Sequence, residues 1–288
     1  RQHICSSGSS SGSGSSIKIQ LSDSSKKEKV MVDISPKTLW DNPVRYQAGL
    51  WDESVEVVDV GDKAASFIQS IIVKYNKKKK KNDGDNDDDD DDDNNNDNDD
   101  DYSDLRVVAQ LPNPHRRVDA RYCPAATVDT LGRVPKVSLT DGFPILIASE
   151  ESLQELNRRL EHKGKDTISM SRFRPNIVVK GLKESFGEDY WKAIQIGGIH
   201  GPILHIVKGC PRCKQSCTDQ MTGVRFDEPL ETLKDFRALN ARNKEDVYFA
   251  QNVVLQPGSE WKGVKVGDPV KVLTKGDPIW DIDAVQAE

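Results

Sequence analysis

The alternation of hydrophobic and polar positions predicts a chain built mainly from short strands. Stretches rich in β-branched and apolar residues recur along the chain and are bounded by turn-forming residues. The predicted strands are 17–21, 29–34, 44–51, 54–59, 105–110, 136–140, 144–148, 177–179, 193–196, 203–207, 247–255 and 270–273. Many short strands with occasional helices favour a β-barrel with peripheral helices.

Three segments carry the apolar spacing of helices. The first begins near Asp62, and the second follows Ser149, a residue type suited to the N-cap. The third covers 230–237 and has Pro229 in its first turn, where the missing N–H is harmless. The pattern therefore predicts an α+β fold that is mainly β.

Low-complexity sequence interrupts the pattern. Residues 1–16 are mostly Ser and Gly, and residues 77–101 are five lysines followed by Asp, Asn and one Gly. Such segments lack the apolar surface that offsets ordering entropy, so we expect both to be disordered. The lysines and the thirteen aspartates of the second tract are adjacent and screen one another. This arrangement favours a solvated insertion over a nucleic-acid site, and no apolar run is long enough to span a membrane.

Three of the five cysteines, Cys210, Cys213 and Cys217, fall within eight residues. Thiolates this close together are typical of metal or redox sites. A structural zinc site would need a fourth ligand, and His200 and His205 lie just upstream. The odd number of cysteines favours a reducing compartment over a disulfide scaffold.

Two interpretations of the cluster are disfavoured by its surroundings. His205 lies between Leu204 and Ile206 like an ordinary strand residue, and no second Cys-x-x-Cys occurs, which argues against zinc. Residues 214–223 indicate a loop or hairpin and not the helix that follows a thioredoxin-type dithiol. A third interpretation, that the cysteines are small buried apolar residues, stays open.

Six motifs occur in an order that resembles MOSC-domain proteins, and most closely the molybdenum-cofactor enzymes that include the mitochondrial amidoxime-reducing component and its bacterial relatives. The motifs are Arg-Phe-Arg-Pro-Asn-Ile-Val-Val at 172–179, Cys-Pro-Arg-Cys at 210–213, Asp219 with Thr222 and Gly223, Glu-Pro-Leu-Glu-Thr-Leu at 228–233, Tyr-Phe-Ala-Gln-Asn at 248–252 and Val-Lys-Val-Gly-Asp-Pro-Val at 264–270. The resemblance covers roughly 136–273, about half the chain.

The resemblance implies molybdenum cofactor (molybdopterin) as the bound group and assigns four residues to it. Cys213 falls on the family's molybdenum ligand and is the expected catalytic residue, while Cys210 takes a supporting position. Arg174, Asn176 and Arg212 fall on positions that contact the cofactor, where planar guanidinium groups suit phosphate or pterin oxygens. From the residues alone, a salt bridge for Arg174 and a turn cap for Asn176 remain alternatives.

The implied function is an oxidoreductase that reduces N-hydroxylated, amidoxime-type substrates. Because no iron–sulfur motif is found, we expect electrons from a separate carrier, namely a b-type cytochrome with its NADH-dependent flavoprotein reductase. One alternative is a non-catalytic cofactor carrier similar to the C-terminal domain of molybdenum-cofactor sulfurases. The other is a zinc-stabilised interaction module.

The resemblance also implies the division of the chain. It makes 102–275 a MOSC domain built around a MOSC-type β-barrel and 17–76 a truncated N-terminal MOSC-associated domain, with 276–288 as a tail. The family segment that carries a cofactor-binding Lys and Ser is expected to precede Arg1. We also expect an intracellular protein, with mitochondrial and cytoplasmic locations both open.

Overall fold

The computed structural model divides the chain into two compact units, Arg1–Pro114 and His115–Glu288. It describes residues 3–5, 18–22, 28–51, 53–82, 102–111, 116–259 and 263–280. The predicted disorder of residues 6–16 and 83–101 lies outside these ranges. No helix in the described part of the chain is long and apolar enough to cross a membrane.

The described residues of the first unit form two three-stranded antiparallel sheets and two helices. One sheet consists of β1 (His3–Cys5), β2 (Lys18–Ser22) and β3 (Lys29–Asp33), and α1 (Pro36–Asp41) follows it in the chain. The other sheet consists of β4 (Arg45–Leu50), β5 (Glu53–Asp59) and β6 (Val108–Gln110). Helix α2 (Asp62–Asn82) lies between β5 and β6 in the chain. Helix α2 begins where its apolar spacing predicted and continues through the lysines, which the sequence assigned to the insertion.

The second unit is built on one six-stranded sheet with the order β12-β9-β10-β11-β7-β8. Its elements are β7 (Ile145–Ser149), α3 (Glu150–His162), β8 (Ile177–Val179), β9 (Trp191–Ile196), β10 (Ile203–Pro211), α4 (Leu230–Arg237), β11 (Tyr248–Leu255) and β12 (Val270–Lys275). All neighbours pair antiparallel except β7 and β8. The sheet curls into a half-barrel, and the predicted fold class, mixed and mainly β, is confirmed.

Apolar side chains form separate clusters around this sheet. Ile147, Ile194 and Leu204 belong to one fully buried cluster of strand residues. The second cluster joins the sheet to α3 and α4, with Leu156 and Leu233 fully buried. Burial of a leucine or isoleucine side chain stabilises the fold by about 1.5–3 kcal/mol. The apolar faces of α3 and α4 therefore pack on the sheet.

One expectation for this unit needs correction. The strand predicted at 136–140 is absent from the described residues, where only an isolated bridge joins Arg117 and Lys136. The carbonyls of Ser138 and Thr140 accept from Nη1 of Arg116, at 2.7 and 2.8 Å, and these side-chain bonds take the place of ladder bonds. The six-stranded sheet that the structure describes ends at β12 on one side and at β8 on the other.

Candidate functional site

Strand β10 carries the cysteine motif to the end of the sheet. Its pairing with β11 shifts register between Ile206 and Lys208 and again between Gly209 and Pro211. Such irregularities bend a strand and redirect its side chains. The chain then leaves the sheet and forms a 3-10 turn, Lys214–Cys217, for which Cys213 is the N-cap residue.

The three thiols of the motif have different surroundings. Cys213 is exposed to solvent, and Cys210 is partly exposed. The Cys210 sulfur accepts a hydrogen bond from Nη1 of Arg212 at 2.9 Å. Cys217 is 3% exposed, and its thiol donates to the carbonyl of Asp227 at 3.3 Å. Burial raises the pKa of the Cys210 and Cys217 thiols. Cys213 is therefore the thiol best placed to bind an external ligand.

The geometry gives no support to a zinc module. Within the described ranges, no group of three or more His, Cys, Asp or Glu side chains is placed to hold a metal ion. His205 is buried in β10, where its Nε2 lies 2.9 Å from Oε1 of Gln256. This pairing fits the strand position that the sequence indicated. The buried, hydrogen-bonded Cys217 likewise fits the interpretation as a small core residue.

Arg212 joins the cysteine motif to the Arg-Phe-Arg-Pro-Asn motif. Its backbone N–H donates to the carbonyl of Val247 at 2.8 Å, and its Nη2 donates to the carbonyl of Phe173 at 3.0 Å. The guanidinium carbon also lies 5.3 Å from the centroid of the Phe173 ring. Its Nε is buried and has no hydrogen-bond partner among the described residues. A buried donor without a partner costs about 1–3 kcal/mol, so this atom is poised to donate to a bound group.

Arg174 follows Phe173 directly and is exposed. Its backbone has φ of 56°, an uncommon conformation for a residue other than glycine. Among the side chains that the structure describes, none forms a hydrogen bond or ion pair with its guanidinium. The salt-bridge alternative therefore finds no support, and the cation is available to a ligand.

Asn176 has a structural task in addition to the predicted one. Its side-chain oxygen accepts a hydrogen bond from the backbone N–H of Leu146 at 2.8 Å. The backbone N–H of Asn176 donates to the carbonyl of Leu146 at 2.9 Å. These bonds fix the start of β8 beside β7. The structure thus brings Arg212 against Phe173, the residue directly before Arg174, with Asn176 two positions farther along.

Two residues at the site escaped the sequence analysis as individual positions. Arg172 lies in the motif at 172–179, and no pattern in the sequence marks Ser216. Both are buried and hydrogen-bonded close to Cys213. The one available signal was the spacing Arg-x-Arg before Pro175, which does not say which arginine is buried.

The comparisons with known proteins agree with the resemblance. Residues 134–271 match the family model for the MOSC domain. The human mitochondrial amidoxime-reducing component 1 is 40% identical over 144 residues, which are 48% of this chain and 39% of the relative. The bovine mitochondrial amidoxime reducing component 2 is 37% identical over 138 residues, 47% of this chain and 38% of the relative. The chain thus spans about two fifths of the length of these curated relatives, and the predicted resemblance is confirmed.

Proposed function

We propose that residues 134–271, a MOSC domain, bind molybdenum cofactor through Cys213 and catalyse two-electron reduction of N-hydroxylated, amidoxime-type compounds. The observation that carries the proposal is the exposed thiol of Cys213 beside Arg212, whose buried Nε lacks a partner among the described residues. The names of the similar proteins, amidoxime-reducing components, support the reaction class.

The residues present fit such a cofactor chemically. A thiolate is a soft donor suited to molybdenum, and Cys213 is the one cysteine of the cluster that is exposed. The phosphate and the pterin oxygens call for cationic and N–H donors, which Arg212 and Arg174 supply. The amide nitrogen of Asn176 is a further donor. When bound, the cofactor supplies a metal that takes up and passes on electron pairs.

The protein's own part is to bind and orient. Cys213 provides the ligand atom, and Arg212 presents its guanidinium from a fixed position because Phe173 and Val247 hold it. The ring of Phe173 stacks on that of Phe249, with centroids 3.8 Å apart. The Arg212 guanidinium lies over the Phe173 ring of this stack, with its carbon 5.3 Å from the ring centroid, so an apolar surface supports the cation on that side.

The electrons in this proposal come from a separate carrier, a b-type cytochrome reduced by an NADH-dependent flavoprotein. The similar proteins are named components, which fits a system of several proteins. The same names favour the mitochondrion, one of the two compartments left open by the sequence.

A reductase assay with a chemical electron donor tests the proposal. Reduction of benzamidoxime by reduced viologen should be lost in Cys213→Ser, since a hydroxyl is a harder and less acidic donor than a thiol. The reductase activity of Cys210→Ser should fall by about tenfold or less, as expected for a residue that supports a metal ligand without being one. Cys123→Ser, at a half-buried thiol outside the cluster, serves as the control.

Full activity of Cys213→Ser at normal molybdenum occupancy would contradict the assignment. If the wild-type protein held molybdenum but reduced no amidoxime with any donor, a cofactor carrier would replace the reductase as the better account.

A further inference from the structure

Arg172 is a buried cation whose contacts lead toward Cys213. It is 8% exposed and lies at the end of the 3-10 turn Met170–Arg172. Its Nη1 donates to the carbonyl of Ser216 at 3.4 Å, and its Nη2 lies 3.5 Å from a carboxylate oxygen of Asp219. Burying a guanidinium is costly unless its N–H groups are paired, so these contacts are needed to keep it there.

Ser216 connects Arg172 to the proposed ligand. It is 2% exposed, and it donates twice to the carbonyl oxygen of Cys213, from its backbone N–H at 3.1 Å and from its hydroxyl at 2.9 Å. The carbonyl of Ser216 in turn accepts from Arg172. A continuous chain of hydrogen bonds therefore runs from Arg172 through Ser216 to the backbone of Cys213.

The second contact of Arg172 fixes the hairpin that follows the cysteine turn, in which Thr218 pairs with Arg225 in an antiparallel bridge. Asp219 Oδ1 accepts from the backbone N–H groups of Met221 and Thr222, each at 2.9 Å. These bonds, with the Arg172 charge, lower the pKa of Asp219 and keep it ionised. The Arg172 guanidinium also lies 5.5 Å from the centroid of the Phe226 ring, at the far end of the hairpin. Arg172 thus contacts both the turn and the hairpin.

We infer that Arg172 is a positioning residue that holds the turn Lys214–Cys217 and so orients the thiol of Cys213 toward its ligand. This inference rests on the proposed function for the identity of the ligand. We do not propose that Arg172 contacts the cofactor, because its guanidinium already contacts Ser216, Asp219 and Phe226. Its role differs from that of Arg174, two residues farther on, whose guanidinium is exposed.

Local hydrogen exchange and thiol protection test this role without any cofactor. In Arg172→Met, the backbone N–H of Ser216 should exchange with solvent at least about tenfold faster than in the wild type. The reason is that the turn loses the hydrogen bond between the Ser216 carbonyl and the charged guanidinium. The buried thiol of Cys217 should react with N-ethylmaleimide faster by a similar factor, about tenfold. Arg172→Lys keeps the charge but not the planar fork, and should recover part of the protection.

Arg159→Met is a matched control. Arg159 pairs with Glu155 at 2.7 Å and lies 3.8 Å from the centroid of Phe236, so it also combines an ion pair with a ring contact. Its replacement should lower the thermal midpoint without changing exchange at Ser216 or alkylation of Cys217. Molybdenum content should fall in Arg172→Met and stay normal in Arg159→Met.

Unchanged protection of Ser216 and Cys217 in Arg172→Met would overturn the inference, as would equal changes in Arg159→Met. If Arg172→Met fails to fold, the comparison of Arg172→Lys with the wild type decides, since a folded protein with unaltered protection contradicts the role. Absence of molybdenum from every variant, the wild type included, would count against the proposed function alone, because exchange and alkylation are measured on the cofactor-free protein.

Discussion

Gly209, one residue before Cys210, is a position at which the absence of a side chain matters. A Cβ placed there would lie 2.4 Å from the ring of Trp280. The N–H of Gly209 donates to the carbonyl of Ile279 at 2.8 Å, and Trp280 packs on Tyr248 with ring centroids 5.1 Å apart. The sequence assigned 276–288 to a tail, but the described part of it covers the strand that leads to the cysteine motif.

Gly209→Ala should therefore destabilise the second unit. The added methyl group must displace Trp280, and overpacking of this kind costs about 1–3 kcal/mol. Urea unfolding followed by tryptophan fluorescence measures the change. Gly142→Ala is the control, because, apart from its two chain neighbours, no described residue lies within 4 Å of its added Cβ. Equal free energies of unfolding for the two variants would contradict this prediction, because Trp280 would then move aside without any loss of stability.

At the level of single residues, the sequence indicated which side chains could bind a metal better than it indicated how buried each of them is. The spacing of Cys210, Cys213 and Cys217 and the resemblance singled out Cys213, whose role remains a prediction. Which thiol is exposed depends on the register shifts of β10 and on the turn that follows it, and both come from packing between distant segments. The burial of Arg172 was equally invisible, because its neighbours Ser216 and Asp219 lie more than forty positions along the chain.

A buried carboxyl group stabilises the beginning of α3. Ser149 caps the helix by accepting from the N–H of Ser152 at 3.1 Å, as predicted. Glu188, which is fully buried, accepts from the hydroxyls of Ser149 at 2.9 Å and Ser152 at 2.7 Å. Burial nevertheless dominates and raises the pKa of Glu188 above its ordinary value of 4.5. The folded state thus holds this proton more tightly than the unfolded state does.

The free energy of unfolding should consequently depend on pH through Glu188. Its contribution is fully present below pH 4.5, the pKa of the unfolded chain, and is lost as pH rises through the raised pKa of the folded state. Glu188→Gln removes the titration, so the difference in stability between wild type and variant should shift in favour of the variant as pH rises. Urea unfolding at a series of pH values on both sides of 4.5 measures this.

Glu155→Gln provides a control of opposite sign. Hydrogen bonds from Arg158, and then Arg159, lower the pKa of Glu155 to about 2. The contribution of Glu155 is therefore present above pH 4.5 and lost as pH falls toward 2. Parallel stability curves for the wild type and Glu188→Gln across the range would contradict the assignment to Glu188.

Among the elements, the strongly patterned ones were predictable and the irregular ones were not. The apolar spacing located α2, α3 and α4, and alternating residues located most strands of the second unit. Helix α1 was missed because its six residues are too few for a periodic signal.

For the whole molecule, the family match lies within the second unit. The family match covers 134–271, whereas the structure places the boundary between the units after Pro114. The division predicted from the sequence, with a MOSC-associated block at 17–76 and a MOSC domain from 102, remains a prediction. Composition alone could mark the lysine and aspartate tract, but the position of a boundary is decided by contacts between distant residues.

The central claim is that this chain holds molybdenum cofactor through Cys213, and metal analysis tests it most directly. Protein purified from cells supplied with molybdate should contain molybdenum and pterin in proportion to the chain, measured by mass spectrometry and by fluorescence of the oxidised pterin. Cys213→Ser should lose molybdenum while its fold is kept, and Cys123→Ser should retain both. Wild-type protein that contains neither molybdenum nor pterin, or that contains zinc released on replacing either Cys210 or Cys213, would contradict the account.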